Sequence, residues 1–275
     1  MISLIKIITD SSCDLPKEIV REYGIEVVPL SVEIDGKRYI EGKDITPEEY
    51  WQKMQKAKTL PKTSQPPPAM FADVFKKIID EGNEPLCITI SSKLSGTYQS
   101  ALVGNDISGN KAVVFDSLAG SLSHGIQVLM AARLSQAGKK MNEILKELER
   151  YRKSVKIIIP LNTLENIVKG GRLSRVQGTV AKLLNIKVIL HGVEGEVKML
   201  KKVRGTKRFR EAILEIINNL NPEPGRIFGI THVDNLEDAL FISEALKRFG
   251  SEVIVNSMGP VMATYAGMKG MILAL

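Results

Sequence analysis

The run Pro85-Leu86-Cys87-Ile88-Thr89-Ile90, followed at once by Ser91-Ser92-Lys93-Leu94-Ser95-Gly96-Thr97-Tyr98-Gln99-Ser100-Ala101, decides how the chain is read. A short apolar run that ends in small hydroxyl residues and a glycine, then enters a helix, reads as a strand, a turn and a helix of an α/β sheet. Such a corner suits an anion, because a helix start offers unpaired N–H groups and the positive end of its dipole. Ser95 and Thr97 add hydroxyls, and Gly96 leaves the backbone open to close approach. The corner contains no Cys, His, Asp or Glu. It is therefore read as holding an anion rather than attacking a bond.

Outward from this corner, strand and helix patterns alternate. Residues 4–9 form an apolar strand ending at Asp10-Ser11-Ser12-Cys13-Asp14, with Asp14 expected to cap a helix that has Pro16 in its first turn. Residues 26–34 alternate and turn at Asp35-Gly36, a hairpin signal. Thr46-Pro47-Glu48-Glu49 opens a helix to about Lys58, and residues 60–68 form a stiff proline-rich connector. Residues 69–81 read as helix, and residues 86–90 and 112–115 as strands with helices between and after them. This rhythm predicts a mostly parallel sheet flanked by helices.

An amphipathic helix over residues 141–153 leads to the strand at 155–160, and the domain boundary is placed there. The expected division is an N-terminal α/β domain, residues 1–153, and a C-terminal α+β domain, residues 154–275, with a largely antiparallel sheet. In the second part helices are expected near Leu164 and over 176–184 and 207–220, with strands near 187–191, 197–203, 227–231 and 252–256. Gly192-Val193-Glu194-Gly195 reads as a hairpin turn.

The chain has 275 residues, 44% hydrophobic and 25% charged, which suits a soluble globular protein with a real core. The net charge of +7 raises the question of nucleic acid, but aromatics make up only 5% of the chain. Basic residues also alternate with acids, as in Lys146-Glu147-Leu148-Glu149-Arg150. A solvated basic surface is expected, with no nucleic-acid partner. Cys13 and Cys87 lack metal-ligand spacing and read as reduced thiols of a cytoplasmic protein. Lys6 and Asp10 interrupt any signal-peptide core, and no apolar run approaches the ~18 residues of a membrane span.

Among the motifs, Thr63-Ser64-Gln65-Pro66 lies in a loop held extended by its prolines. It either caps the next helix or joins the Ser95-Gly96-Thr97 corner, since ligands in such sheets collect at the carboxyl ends of the strands. Asp10-Ser11-Ser12 either lines the same crevice or caps a helix, and Asp116-Ser117 has the same two readings. Lys169-Gly170-Gly171-Arg172 is either a helix end with basic residues on its dipole or a phosphate or acidic-partner contact through Arg172. His124, His191 and His232 form no metal pattern, and no Walker loop or dinucleotide fingerprint occurs. An enzymatic alternative remains: a phosphotransferase or hydrolase using the Ser95 corner for phosphate and Asp10 as acid or metal ligand.

Together, Thr9-Asp10-Ser11-Ser12-Cys13-Asp14-Leu15-Pro16, Pro61-Lys62-Thr63-Ser64-Gln65-Pro66, Ser91 to Ser100, Gly170-Gly171-Arg172-Leu173-Ser174 and Gly259-Pro260 resemble the DegV family of fatty acid-binding proteins. The resemblance implies two α/β-type domains holding a long-chain fatty acid such as palmitate, with Thr63 and Ser95 hydrogen-bonding its carboxylate. It implies a carrier or presenter with no cofactor, whose partner in some bacteria is a fatty acid kinase. One departure weighs against that kinase: Tyr265 stands where kinase-serving members commonly carry a histidine, and Met268-Lys269 changes the segment's ending. The chain's apolar residues, Ile126, Val128 and Leu129 among them, are candidates to line a tunnel for the tail, where each buried methylene contributes roughly 0.8 kcal/mol.

Overall fold

The computed structural model describes residues 4–173, 186–221, 225–249 and 252–275. The helix expected over 176–184, and Ser174 of the glycine-arginine motif, lie outside the described residues. Strand β1 (Ile5–Asp10) passes through a 3-10 turn (Ser11–Cys13) to α1 (Lys17–Glu22). Next come β2 (Glu26–Val28), β3 (Ser31–Ile34), β4 (Lys37–Ile40), α2 (Pro47–Lys56), β5 (Lys62–Ser64) and α3 (Pro68–Asp80). The first half closes with β6 (Glu84–Thr89), α4 (Thr97–Ile107), β7 (Val113–Asp116), α5 (Leu122–Gln136) and α6 (Met141–Ser154). The second half runs β8 (Ile157–Leu161), α7 (Glu165–Lys169), β9 (Ile186–Val193), β10 (Glu196–Arg204) and α8 (Thr206–Leu220). It ends with β11 (Phe228–His232), α9 (Leu236–Lys247), β12 (Val253–Ser257), α10 (Pro260–Ala266) and β13 (Met271–Ala274).

The α/β architecture follows the sequence pattern. Strands β2-β1-β6-β7 form an all-parallel sheet. Both faces of β6 are covered, with Leu86 and Ile88 in one apolar cluster and Cys87 in another, which is why it reads as an unbroken apolar run. The second sheet has the order β10-β9-β8-β13-β11-β12 and is antiparallel except between β11 and β12. Its β9–β10 hairpin turns at Glu194-Gly195, both at positive φ.

Three local expectations change. The alternating stretch 26–34 is two strands, because Pro29 separates β2 in the parallel sheet from β3 in a small antiparallel sheet, β4-β3-β5. The proline-rich connector supplies that sheet's third strand, with Thr63 opposite Val32. Asp14 does not cap α1. It sits at φ 51°, and its carboxylate accepts from Ser121 Oγ at 2.5 Å and Gly259 N at 2.9 Å instead.

Helix α5 holds the molecule together. It packs on β1 and β6 on one side and on β11 and β13 on the other. Ten of its fifteen residues are buried, so it has no polar face. Ile126, Val128 and Leu129 are fully buried in the packing between sheets and do not line a tunnel, a correction to the expectation above. A separate apolar cluster joins Leu30, Val32, Tyr50 and Trp51 to Leu161, Val188 and Val261. Helix α2, started by the Thr46–Glu49 capping box, places Trp51 Nε1 3.1 Å from the Met258 carbonyl and the Tyr50 hydroxyl 2.5 Å from Thr264 Oγ1.

Candidate functional site

A cavity of about 360 Å³ lies where the loop after β6, strand β5, the sheet around β8 and helix α10 converge. Most of its wall is apolar: Ile90, Leu94 and Leu118 from the first half, and Ile157, Ile159 and Leu161 from β8, whose alternate residues share one face. Val261, Met262 and Ala266 come from α10, and Ile272 from β13.

The polar groups in the wall include Thr63, Ser64, Gln65, Ser95, Arg172, Glu196 and Tyr265. Thr63 and Tyr265 reach each other across the two halves, their hydroxyl oxygens 2.6 Å apart. Ser95 Oγ lies 2.9 Å from Thr97 Oγ1 and accepts from Thr97 N at 3.3 Å, so it sits at the first turn of α4, whose N-cap, Gly96, supplies no side-chain bond. Arg172 follows the end of α7. Its Nε donates to the Leu94 carbonyl at 3.2 Å and its Nη1 to the Gly170 carbonyl at 2.6 Å, while the guanidinium lies 5.0 Å from the Tyr265 ring centre. A Cβ on Gly170 would stand 2.5 Å from the Tyr265 ring, so that glycine gives the ring its seat.

The structure thus brings Thr63, Ser64, Ser95, Gly96 and Arg172 to one cavity, and separates other candidates from it. Gly96 is not bare as expected: a Cβ there would lie 2.0 Å from Gln65 Oε1, so the Gln65 amide covers its face. Thr97 is fully buried behind Ser95 and is not part of the wall. Asp10 and Ser11 also lie outside the wall. Asp10 accepts from Ser12 N, Ser12 Oγ and Ile90 N at 3.1, 2.5 and 2.8 Å, which ties β1 to the end of β6. Ser11 Oγ donates to Glu41 and accepts from Leu30 N. Asp116 accepts from Ser92 N and Leu118 N, again shaping the strand ends rather than the cavity.

Two of the three histidines make local hydrogen bonds. His124 Nε2 lies 3.0 Å from both Thr9 Oγ1 and the Ile88 carbonyl, and His232 Nδ1 accepts from Asn235 N at 3.2 Å. None of the three lines the cavity, and among the described residues no cluster of His, Cys, Asp and Glu could hold a metal ion. Both cysteines are buried and free, and burial pushes their thiols up.

Two buried carboxylates stand behind α10. Glu41 Oε1 accepts from Val261 N at 2.9 Å, next to the Asp14 bond to Gly259 N. Burial pushes Glu41 up to about 7, and burial plus the Glu41 charge holds Asp14 well above the usual carboxylate range. Their oxygens fix the first turn of the helix that carries Val261, Met262, Tyr265 and Ala266 into the wall.

The family model described as "Uncharacterised protein, DegV family" matches residues 4–274. A DegV domain-containing protein of Clostridium acetobutylicum is 36% identical over 266 residues, covering 96% of this chain and 95% of that protein. A structure described as "Fatty Acid Binding of a DegV family Protein from Thermus thermophilus" superposes with a TM-score of 0.92 at 33% identity, covering 98% of each chain. DegV of Bacillus subtilis, described as a fatty acid binding protein, gives a TM-score of 0.88 at 28% identity, covering 99% of each chain. Among the described residues, no helix is long and apolar enough to cross a membrane.

Proposed function

Because the chain belongs to the DegV family, we propose that it binds a long-chain fatty acid such as palmitate in the cavity beside β8 and α10. The observation that carries the reading is the distribution of polarity in that wall: aliphatic side chains over most of it, with the hydroxyls of Thr63, Ser95 and Tyr265 and the Arg172 guanidinium among them. Relatives of the same fold are described as binding fatty acids.

The two ends of such a ligand ask for different walls. Each methylene removed from water contributes roughly 0.8 kcal/mol, which suits the aliphatic lining. A carboxylate cannot be buried without donors. Thr63 and Ser95 supply hydroxyl donors, Tyr265 supplies a third that sequence reasoning did not assign to the site, and Ser64 stands beside them. The start of α4, next to Ser95, adds the positive end of a helix dipole. In this reading residues 1–153 provide the head-group loops, and residues 154–275 close over the chain and add Tyr265 to the head-group donors.

The protein then acts as a carrier or presenter in lipid transport or fatty acid metabolism, within the cytoplasm and without a cofactor. Arg172 is exposed beside the cavity, which supports a second contact there with a protein partner or with phosphate. Capture of such a partner from lysate, lost in Arg172→Ala, tests that part. The binding itself is tested by extracting the purified protein with organic solvent and identifying bound lipid by mass spectrometry. A long-chain fatty acid near one per chain is expected. Protein free of lipid that also fails to take up palmitate contradicts the reading.

A further inference from the structure

Four glycines line the cavity; Gly195 has positive φ and Gly96 is the N-cap of α4, which leaves two others to account for. Gly120 and Gly192 both line the cavity, and neither has positive φ. Gly192 lies inside β9, paired with Val197 of β10, where a glycine weakens a strand. Backbone conformation therefore does not explain either residue.

Space does. A Cβ on Gly192 would stand 3.0 Å from Ile157 Cβ and 3.1 Å from Ile157 Cδ1. One on Gly120 would stand 3.0 Å from Met262 Cε and 3.6 Å from Ile90 Cδ1. Ile157, Met262 and Ile90 are themselves wall residues, so a side chain at either position would press on the wall and push it into the cavity. Gly229 is different: its Cβ would meet Leu122 Cβ at 2.8 Å, inside the contact between α5 and the second sheet. The neighbours of Gly120 and Gly192 are aliphatic or thioether carbons, whereas the hydroxyls gather around Tyr265. Met262, unbranched and with rotatable bonds along its length, is the apolar wall residue best able to move.

We propose that Gly120 and Gly192 keep the hydrocarbon part of the cavity hollow and that Met262 is its adjustable wall, so that these three residues set the length of alkyl chain accepted. The assignment rests on the acyl reading given above.

The test is titration of the purified, lipid-stripped protein with laurate, palmitate and stearate. Each methylene kept out of the cavity lowers affinity about fourfold. Gly120→Val is expected to weaken stearate roughly tenfold or more while laurate changes less than about twofold. Met262→Ala, which only removes atoms, is expected to favour stearate over laurate relative to the wild type, and to restore stearate binding when added to Gly120→Val. Equal weakening of all three acids in Gly120→Val without rescue by Met262→Ala, or an unchanged chain preference in Met262→Ala alone, overturns the assignment. Wild-type protein that binds none of the three overturns the acyl reading and the assignment with it.

Discussion

The hydroxyl of Tyr265, on α10, lies 2.6 Å from the hydroxyl of Thr63, on β5. The two residues are 202 positions apart in the chain, and the bond joins its halves at the cavity wall. It leaves one hydroxyl of the pair with a proton to give to an incoming anion.

Tyr265→Phe removes one donor and keeps the ring. The loss of a hydrogen bond to a charged group costs about 1–3 kcal/mol, or roughly 5- to 150-fold in affinity. Isothermal titration with palmitate should show a weakening in that range, with little change in the thermal midpoint. Unchanged affinity would remove Tyr265 from the head-group site.

Gly170→Ala acts on the same ring from behind. Its Cβ would come 2.5 Å from Tyr265 Cδ1 and Cε1, and about 1–3 kcal/mol of overpacking strain is expected. The variant should unfold at lower urea concentration and bind palmitate less tightly, because the ring is pushed off Thr63. Gly171→Ala, at φ 70° with open space around its Cβ position, should be destabilised by backbone strain without the binding defect.

The buried carboxylates give a pH signature. Glu41 is pushed up to about 7 by burial, against about 4.3 for an unfolded chain. Between those values the unfolded chain gives up the proton while the folded one retains it. The contribution of Glu41 is therefore complete below about pH 4.3 and is lost as pH rises to about 7, a change of about 4 kcal/mol. Asp14, also raised, acts in the same direction. Urea denaturation between about pH 4 and pH 8 should show a shallower fall in stability with rising pH for Glu41→Gln than for the wild type. Identical slopes would contradict the buried-proton account.

Much of the fold can be read locally because its signals are local. The β6–α4 corner, the Thr46 capping box and the Asp35-Gly36 and Glu194-Gly195 turns each depend on a few adjacent residues. β13 does not: Met271-Ile272-Leu273-Ala274 is short, and only its insertion between β8 and β11 makes it a strand. Asp14 reads as a cap because Asp commonly caps, yet donors from Ser121 and Gly259, remote in sequence, take its carboxylate. Thr63, Ser95 and Arg172 stood out in the sequence by residue type and neighbouring turns. Gly120, Gly192 and Met262 did not, because a glycine's purpose depends on what faces it. Ile126, Val128 and Leu129 are as apolar as any tunnel lining, and only the packing of α5 between two sheets assigns them to the core.

The most direct measurement is lipid occupancy in the double variant Thr63→Ala, Ser95→Ala, purified alongside the wild type and assayed by solvent extraction and mass spectrometry. Each hydroxyl lost costs about 1–3 kcal/mol, so palmitate affinity should fall roughly 30-fold or more and the variant should emerge largely empty while still folded. A folded variant that retains as much fatty acid as the wild type would contradict the account.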